Sequence, residues 1–370
     1  MDLNKKTSIK FADNLLARFP NPDDIPWKIW NYVQGYWLWG LDLLWKYTGD
    51  RKYFDYIKKF VDQHVNPDGS IRNFTGNDLD DMMAGTAVLA VYEQTGEARY
   101  RLAAERIRAA FNDYPRNSDG GFYHSKSLPH EMWIDGVFMG GMFLIRYATA
   151  IGDQKYCFDE VTNQIVILAS HCRKGDSGLF LHAYDEARHA AWADPVTGLS
   201  CSVWSEGLGW YALVVVEALK VLPLDHPRRA EVMDIFQKLL EGLRKTQDPR
   251  TGLWYQVVDQ GSRPDNWHDT SGSAMFVYTL QRALDLGFMS AEVYAPVVKK
   301  GYEGLLSKAV IRPDGLVDLY DACDGVGVQT SEDVYINYQK SVNAKEAVGG
   351  FLWATTIVEK PEPSPAKGNA

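Results

Sequence analysis

Asp135 stands in Pro129–Met142 (PHEMWIDGVFMGGM), a stretch that is otherwise almost wholly apolar, two residues after Trp133 and directly before Gly136. A carboxylate buried there without a partner costs on the order of several kcal/mol, so its presence needs a reason. Two structural roles compete with chemistry: Asp135 as N-cap of the apolar helix beyond it, or as partner of a buried Arg. More carboxylates lie in Asn77–Gly85, where Asp78, Asp80 and Asp81 again precede an apolar run. Two carboxyl groups facing one sugar bond are the usual glycosidase arrangement. In an apolar, aromatic pocket, desolvation and like charge let such an acid keep a proton to deliver. Asp is common at helix starts, so at least two of these four are expected to be caps. His182, in LHAYD (181–185), lies in a connection rather than on an apolar face, which allows a substrate contact as well as a core role. His124, His130 and His268 also lie in connections, but HExxH spacing is absent and no metal site is expected. GxGxxG, GxxxxGK[ST] and GxSxG are absent too, so no nucleotide cofactor and no hydrolase elbow are expected.

These residues must be positioned by helices. Trp45–Tyr53 (WKYTGDRKY) recurs loosely as Val91–Tyr100 and again as Ala150–Tyr156, with Gly49, Gly96 and Gly152 spaced 47 and 56 residues apart. Each unit reads as an apolar helix, a Gly at C′, an acidic residue starting the next helix, and an amphipathic second helix. Val221–Pro227 and Leu286–Ser290 are weaker joints of the same kind, and Ala347–Glu359 is a final apolar segment. Strand-like alternation is confined to pieces such as Leu253–Val258. The polar clusters Trp30–Gly35, Asn77–Gly85, His130–Gly136, Trp204–Tyr211 and Asp269–Ala274 each come just before the more apolar helix of a unit. That position predicts that they meet at one mouth. The expected fold is all-α, an (α/α)6 barrel of six helical hairpins over residues 1–359, followed by a Pro-rich disordered tail at 360–370. A solenoid of helix pairs is the alternative; unequal repeats and the long connections 112–131, 174–202 and 247–269 favour the barrel.

Composition narrows the function. With 12 Trp and 20 Tyr, the chain has the flat amphipathic faces that a sugar cleft requires, although a dense helical core would use them as well. A net charge of −9 and the lack of a basic cluster argue against nucleic acid. Cys157, Cys172, Cys201 and Cys323 show no CxxC and read as reduced thiols. No long uncharged apolar run suggests a membrane span. The expectation is a cytoplasmic monomer or weak homodimer without cofactor, acting on a small oligosaccharide.

In chain order, LDDMMAG (79–85), GGFYH (120–124), PHEMWIDGVFMGG (129–141), LHAYD (181–185), WSEGLGWY (204–211), GLWYQVVD (252–259) and TSGSAMFVY (270–278) resemble glycoside hydrolase family 105. Those are the unsaturated rhamnogalacturonyl hydrolases, relatives of the family 88 unsaturated glucuronyl hydrolases. The resemblance implies an (α/α)6 barrel that releases Δ4,5-unsaturated uronic acid from the non-reducing end of lyase-generated oligosaccharides. It implies that Asp135 protonates C4 of the enol ether and then activates water to attack C5, with Asp80 as partner carboxylate. His182 matches the pocket histidine, and Tyr32, Trp133, Trp204 and Trp210 match the aromatic walls. One departure stands out: several members carry Arg where this chain has Glu206. The uronate carboxylate is then held otherwise, with His182, Lys126 and backbone N–H groups as candidates, and the aglycone need not be rhamnose. Two other readings remain open, a different carbohydrate enzyme on this barrel (inverting glycosidase or epimerase) and a non-catalytic glycan-binding module.

Overall fold

A computed structural model describes residues 6–26 and 30–361. The first half comprises α1 (Thr7–Arg18), α2 (Tyr32–Thr48), α3 (Arg51–His64), the single-turn α4 (Asp80–Met83), α5 (Gly85–Thr95), α6 (Ala98–Ala110), α7 (Ile134–Ala150) and α8 (Gln154–Cys172). The second comprises α9 (Ser205–Val221), α10 (Arg229–Thr246), α11 (Thr270–Asp285), α12 (Ala291–Ser307), the short α13 (Glu332–Ile336) and α14 (Lys345–Glu359). No described helix is long and apolar enough to cross a membrane.

Burial sorts the helices into two layers. In α9 every residue from Ser205 to Leu219 is buried, and in α7 the same holds from Ile134 to Ala148. Such helices have no wet face and must lie inside. In α3, by contrast, the buried set is Tyr53, Phe54, Tyr56, Ile57, Phe60, Val61 and His64, one stripe at helical spacing. Accordingly α2, α5, α7, α9, α11 and α14 pack each on the next, α14 returns to α2, and the ring closes. Closure needs tight crossings: a Cβ on Gly349 would sit 2.4 Å from Cδ1 of Tyr36.

Five hairpins follow chain order, but the sixth is assembled from the two ends. Its inner helix is α14, and its outer helix is α1, which packs on α14 and α2. Glu359 ties them: its carboxylate accepts the Thr7 and Ser8 N–H groups, both at 2.9 Å, and the Ser8 hydroxyl at 2.6 Å. A carboxylate at a helix N-terminus meets unpaired donors and the positive end of the dipole. The tail expected to be disordered falls almost wholly on residues 362–370, outside the described ones.

The repeated joints are borne out unevenly. Gly49 and Gly96 end α2 and α5 in the left-handed region, with φ of 67° and 65°. Asp50 then caps α3 by accepting the Lys52 N–H at 3.2 Å. Glu97 makes no such cap, and at the third joint Asp153 is itself left-handed, its carboxylate taken by Arg108 at 2.9 Å. Leu253–Val258 forms no strand; isolated bridges join Val257 to Trp204 and Tyr255 to His268. The pairing that matters for the site is β1 (Glu131–Trp133) antiparallel to β2 (Ala183–Asp185), with Trp133 opposite Ala183.

Replacing Glu359 with Ala should lower the free energy of unfolding in urea by about 2 kcal/mol, since it strands three donors at the α1 start. A midpoint unchanged from wild type would show that α1 is held by apolar packing alone.

Candidate active site

A cavity of about 290 Å³ lies where the N-termini of the inner helices α2, α7, α9 and α14 and the single turn α4 come together. Its wall includes Tyr32, Asp80, Trp133, Asp135, Trp204, Glu206 and Trp210, all expected from sequence. Four of the five polar clusters that precede the apolar helices therefore meet in this wall, and Asp269–Ala274 contributes none of its lining residues.

Asp135 is the second residue of α7, whose N-cap position is Trp133, so it is not the N-cap. No Arg holds it either. Instead its Oδ2 lies 3.0 Å from His182 Nε2, in a site where Asp135 is 9% exposed and His182 1%. The β1–β2 pairing delivers this contact, continued by the Ile134 N–H donating to the His182 carbonyl at 2.9 Å. Behind the ring, His182 Nδ1 is 2.6 Å from the Tyr335 hydroxyl. Gln329 N–H donates to that same oxygen at 3.1 Å, so the phenol proton is free to point at Nδ1. Burial pushes the phenol well above its ordinary range and keeps it protonated. The network thus assigns the imidazole proton to Nε2, directed at Asp135. Both nitrogens of His182 are committed, and it stands behind the catalytic candidate rather than in the wall.

The expectation that at least two of Asp78, Asp80, Asp81 and Asp135 cap helices fails: the N-cap position of α4 is Leu79, and no side-chain cap bond is made there. Asp78 Oδ1 accepts the Asp80 N–H at 3.0 Å, and Asp81 Oδ2 accepts the Thr75 hydroxyl at 2.9 Å. Both hold the loop. Asp80 faces the cavity, with its Oδ1 3.8 Å from His124 Nε2. His124 lies flat on Trp133, ring centroids 4.4 Å apart, and burial lowers its basicity so that it is neutral. Asp78, Asp80 and His124 each bring one possible metal-ligand atom within 4.8 Å of the others. Two of these groups already serve the loop and the Trp133 stack, and the arrangement reads as scaffolding.

Trp210 packs against Tyr36 at 4.5 Å and Phe138 at 4.7 Å, which fixes the floor. Tyr32 donates to Glu346 Oε1 at 2.5 Å, and burial with the Glu346 charge drives its phenol well above the usual range. Glu206 is fully buried, and neither of its oxygens has a partner. Burial raises its carboxyl well above the ordinary value, with Glu346 and Asp269 adding to the shift. Of this adjacent pair, Glu206 is the one that holds a proton, since Glu346 has Tyr32 and Lys345 as partners.

Lys126 is the expected site residue that does not belong. It is exposed, its N–H donates to the Asn77 carbonyl, and its ammonium sits 5.7 Å over the Tyr114 ring. The turn that begins at the Asp78–Ser125 bridge carries it away from the cavity. Sequence reading missed His124 as a wall residue, the loop Gly325–Gly327, and Lys345 with Glu346. A signal for the last existed: Asp135, Glu206 and Glu346 are each the second residue of an inner helix.

Among known proteins, residues 7–361 match the model for Glycosyl Hydrolase Family 88. A family 105 glycoside hydrolase from C. acetobutylicum ATCC 824, known as a solved structure, is similar with a TM-score of 0.90 and 31% identity, covering 96% of this chain and 99% of that one. The unsaturated rhamnogalacturonyl hydrolase YesR of Bacillus subtilis is 23% identical over 312 residues, 83% of each chain. Protein Atu3128 of Agrobacterium fabrum is 37% identical over 169 residues, 45% of this chain and 70% of its own. The closed helical ring, the acid-lined cavity and a family match spanning nearly the whole chain lead to one conclusion: this protein belongs to the glycosyl hydrolase family 88 and 105 group and is a glycoside hydrolase on an (α/α)6 barrel.

Proposed function

We propose that the chain removes Δ4,5-unsaturated uronic acid from the non-reducing end of oligosaccharides left by polysaccharide lyases, pectin-derived ones among them. The observation that carries this is the buried Asp135, oriented by His182 at 3.0 Å and open to the aromatic cavity on its other side. With Nε2–H directed at Oδ2, that oxygen accepts in either protonation state. The exchangeable proton therefore belongs on Oδ1, which faces the sugar.

The reaction runs in steps that balance. Asp135 gives its proton to C4, the C4=C5 electron pair forms the new C–H bond, and the positive charge at C5 is shared with the ring oxygen. Water then attacks C5 and returns a proton to the Asp135 carboxylate. The resulting hemiketal opens, and the anomeric carbon expels the aglycone sugar. Asp80 stands in the same wall as a second carboxylate, suited to holding a sugar hydroxyl or the water. An epimerase would need two histidines facing the sugar, and with both nitrogens of His182 committed only His124 is offered. Four free cysteines fit a reducing compartment, and we place the enzyme in the cytoplasm.

Asp135→Asn should cut kcat by about a thousandfold or more while leaving thermal unfolding intact, read as loss of ultraviolet absorbance from the conjugated double bond. Retained turnover would remove Asp135 from the chemistry. Tyr335→Phe deletes the proton that fixes the His182 tautomer; kcat should fall roughly tenfold with KM unchanged. An effect on KM alone would mean that Tyr335 shapes the cavity rather than orienting the acid.

A further inference from the structure

The floor of the cavity holds a group that the proton-transfer steps above do not use. Glu206 is fully buried and lines the cavity, yet both carboxyl oxygens lack a partner. Buried polar atoms in native proteins are nearly always bonded, so an orphan aimed into a cavity points to a ligand. Its polar neighbours, Ser271 and Lys345, are directed at other acceptors. The Ser271 hydroxyl gives its proton to Asp269 Oδ1 at 2.7 Å. Lys345 directs its ammonium to Asp324 at 2.9 Å and Glu346 at 3.1 Å.

The groups facing Glu206 are Glu346 and Lys345 on α14, Asp269 at the α11 start, Tyr32 and Tyr36 on α2, Cys323 in the connection before α13, and Tyr338 after it. Burial keeps the phenols and the thiol in their neutral forms. Besides these, the Glu346 and Asp269 carboxyls and the Lys345 ammonium face it, and burial first, then the two carboxyls, hold a proton on Glu206. It is therefore a hydrogen-bond donor that lines the cavity and whose oxygens make no close bond within the protein.

We propose that Glu206 receives the carboxylate of the uronic acid itself, through an O–H···O⁻ hydrogen bond, with the Lys345 ammonium supplying the countercharge. This rests on the unsaturated-uronyl reading above and names the recognition element for it. A carboxylate is the acceptor that makes the shortest and strongest bond to a neutral acid. Lys345 is the one Lys or Arg among the described residues lining the cavity, and its partner Asp324 is half-exposed and can yield its place. The inner-helix N-termini converge on the same space and favour an anion there. Arginine, the usual solution, is absent from this wall.

The test compares an unsaturated uronyl disaccharide with its C6 methyl ester, as substrates of wild type, Glu206→Gln, Glu206→Ala and Lys345→Met, between pH 5 and 9. For wild type, KM of the free acid should be constant wherever Glu206 keeps its proton and rise wherever it loses it, while KM of the ester stays flat. Glu206→Gln keeps a donor that cannot ionise, so its free-acid KM should become independent of pH. Glu206→Ala and Lys345→Met should raise the free-acid KM at least tenfold and the ester KM far less. A second readout is independent of turnover. The folded protein holds a proton on Glu206 that the unfolded chain releases above its ordinary carboxyl range, so wild-type stability falls as pH rises until Glu206 itself ionises. Glu206→Gln should flatten that slope in urea melts. Equal losses for acid and ester in Glu206→Ala overturn the assignment of Glu206. Wild type that consumes neither substrate overturns the uronyl reading and this inference with it.

Discussion

The contact between His182 Nε2 and Asp135 Oδ2 sets the terms for everything around it. An isolated carboxyl at the neck of an apolar ring is costly, and one imidazole N–H offsets that cost only if the imidazole is itself fixed. Tyr335 fixes it from behind, through a bond of 2.6 Å to Nδ1. The pairing of β1 with β2 fixes it from the side, and Trp133 and Trp204 close over the ring at 5.8 and 4.6 Å. Three separate stretches of chain thus agree on the position of one acid. Its free oxygen is the one left for chemistry.

The barrel makes that agreement possible because its inner helices α2, α7, α9 and α14 start at the one cavity. Acids at the second position of α7, α9 and α14 then face one another across a narrow space. Glu206 feels the charges of Glu346 and Asp269 in a buried site, where they disfavour its ionised form. The outcome is a division of labour set by partners. Glu346 has a phenol and an ammonium, and Glu206 has neither and retains its proton. Electrostatics of this kind belongs to the assembled ring and to no helix alone.

Much of this was legible in the residues. Gly49 and Gly96 announced helix ends because a left-handed C′ position favours glycine, and the polar clusters ahead of the apolar helices announced a shared mouth. Asp135, Asp80 and His182 stood out as polar residues at such places. Other features were out of reach for physical reasons. The sixth hairpin joins α1 to α14 across the whole chain, and no local pattern marks two segments that meet only when the ring closes. Tyr335 sits in a connection without a motif, so its role depends on where that loop folds back. Lys126 has the right charge in the right neighbourhood, but the direction of one turn sends it to solvent. Glu206 looked like a misplaced charge, and packing makes it a neutral donor.

Protonation of a carbon atom by the acid at Asp135 is the step on which the proposed reaction turns. It is tested most directly by running the reaction in deuterium oxide and examining the released sugar at early times by NMR, with product incubated alone as the exchange control. Protonation at C4 places one deuterium on that carbon and removes the double bond from the product. A product that keeps its double bond and carries no deuterium at C4 would mean that the glycosidic carbon is attacked directly, which contradicts a role for Asp135 as proton donor to carbon.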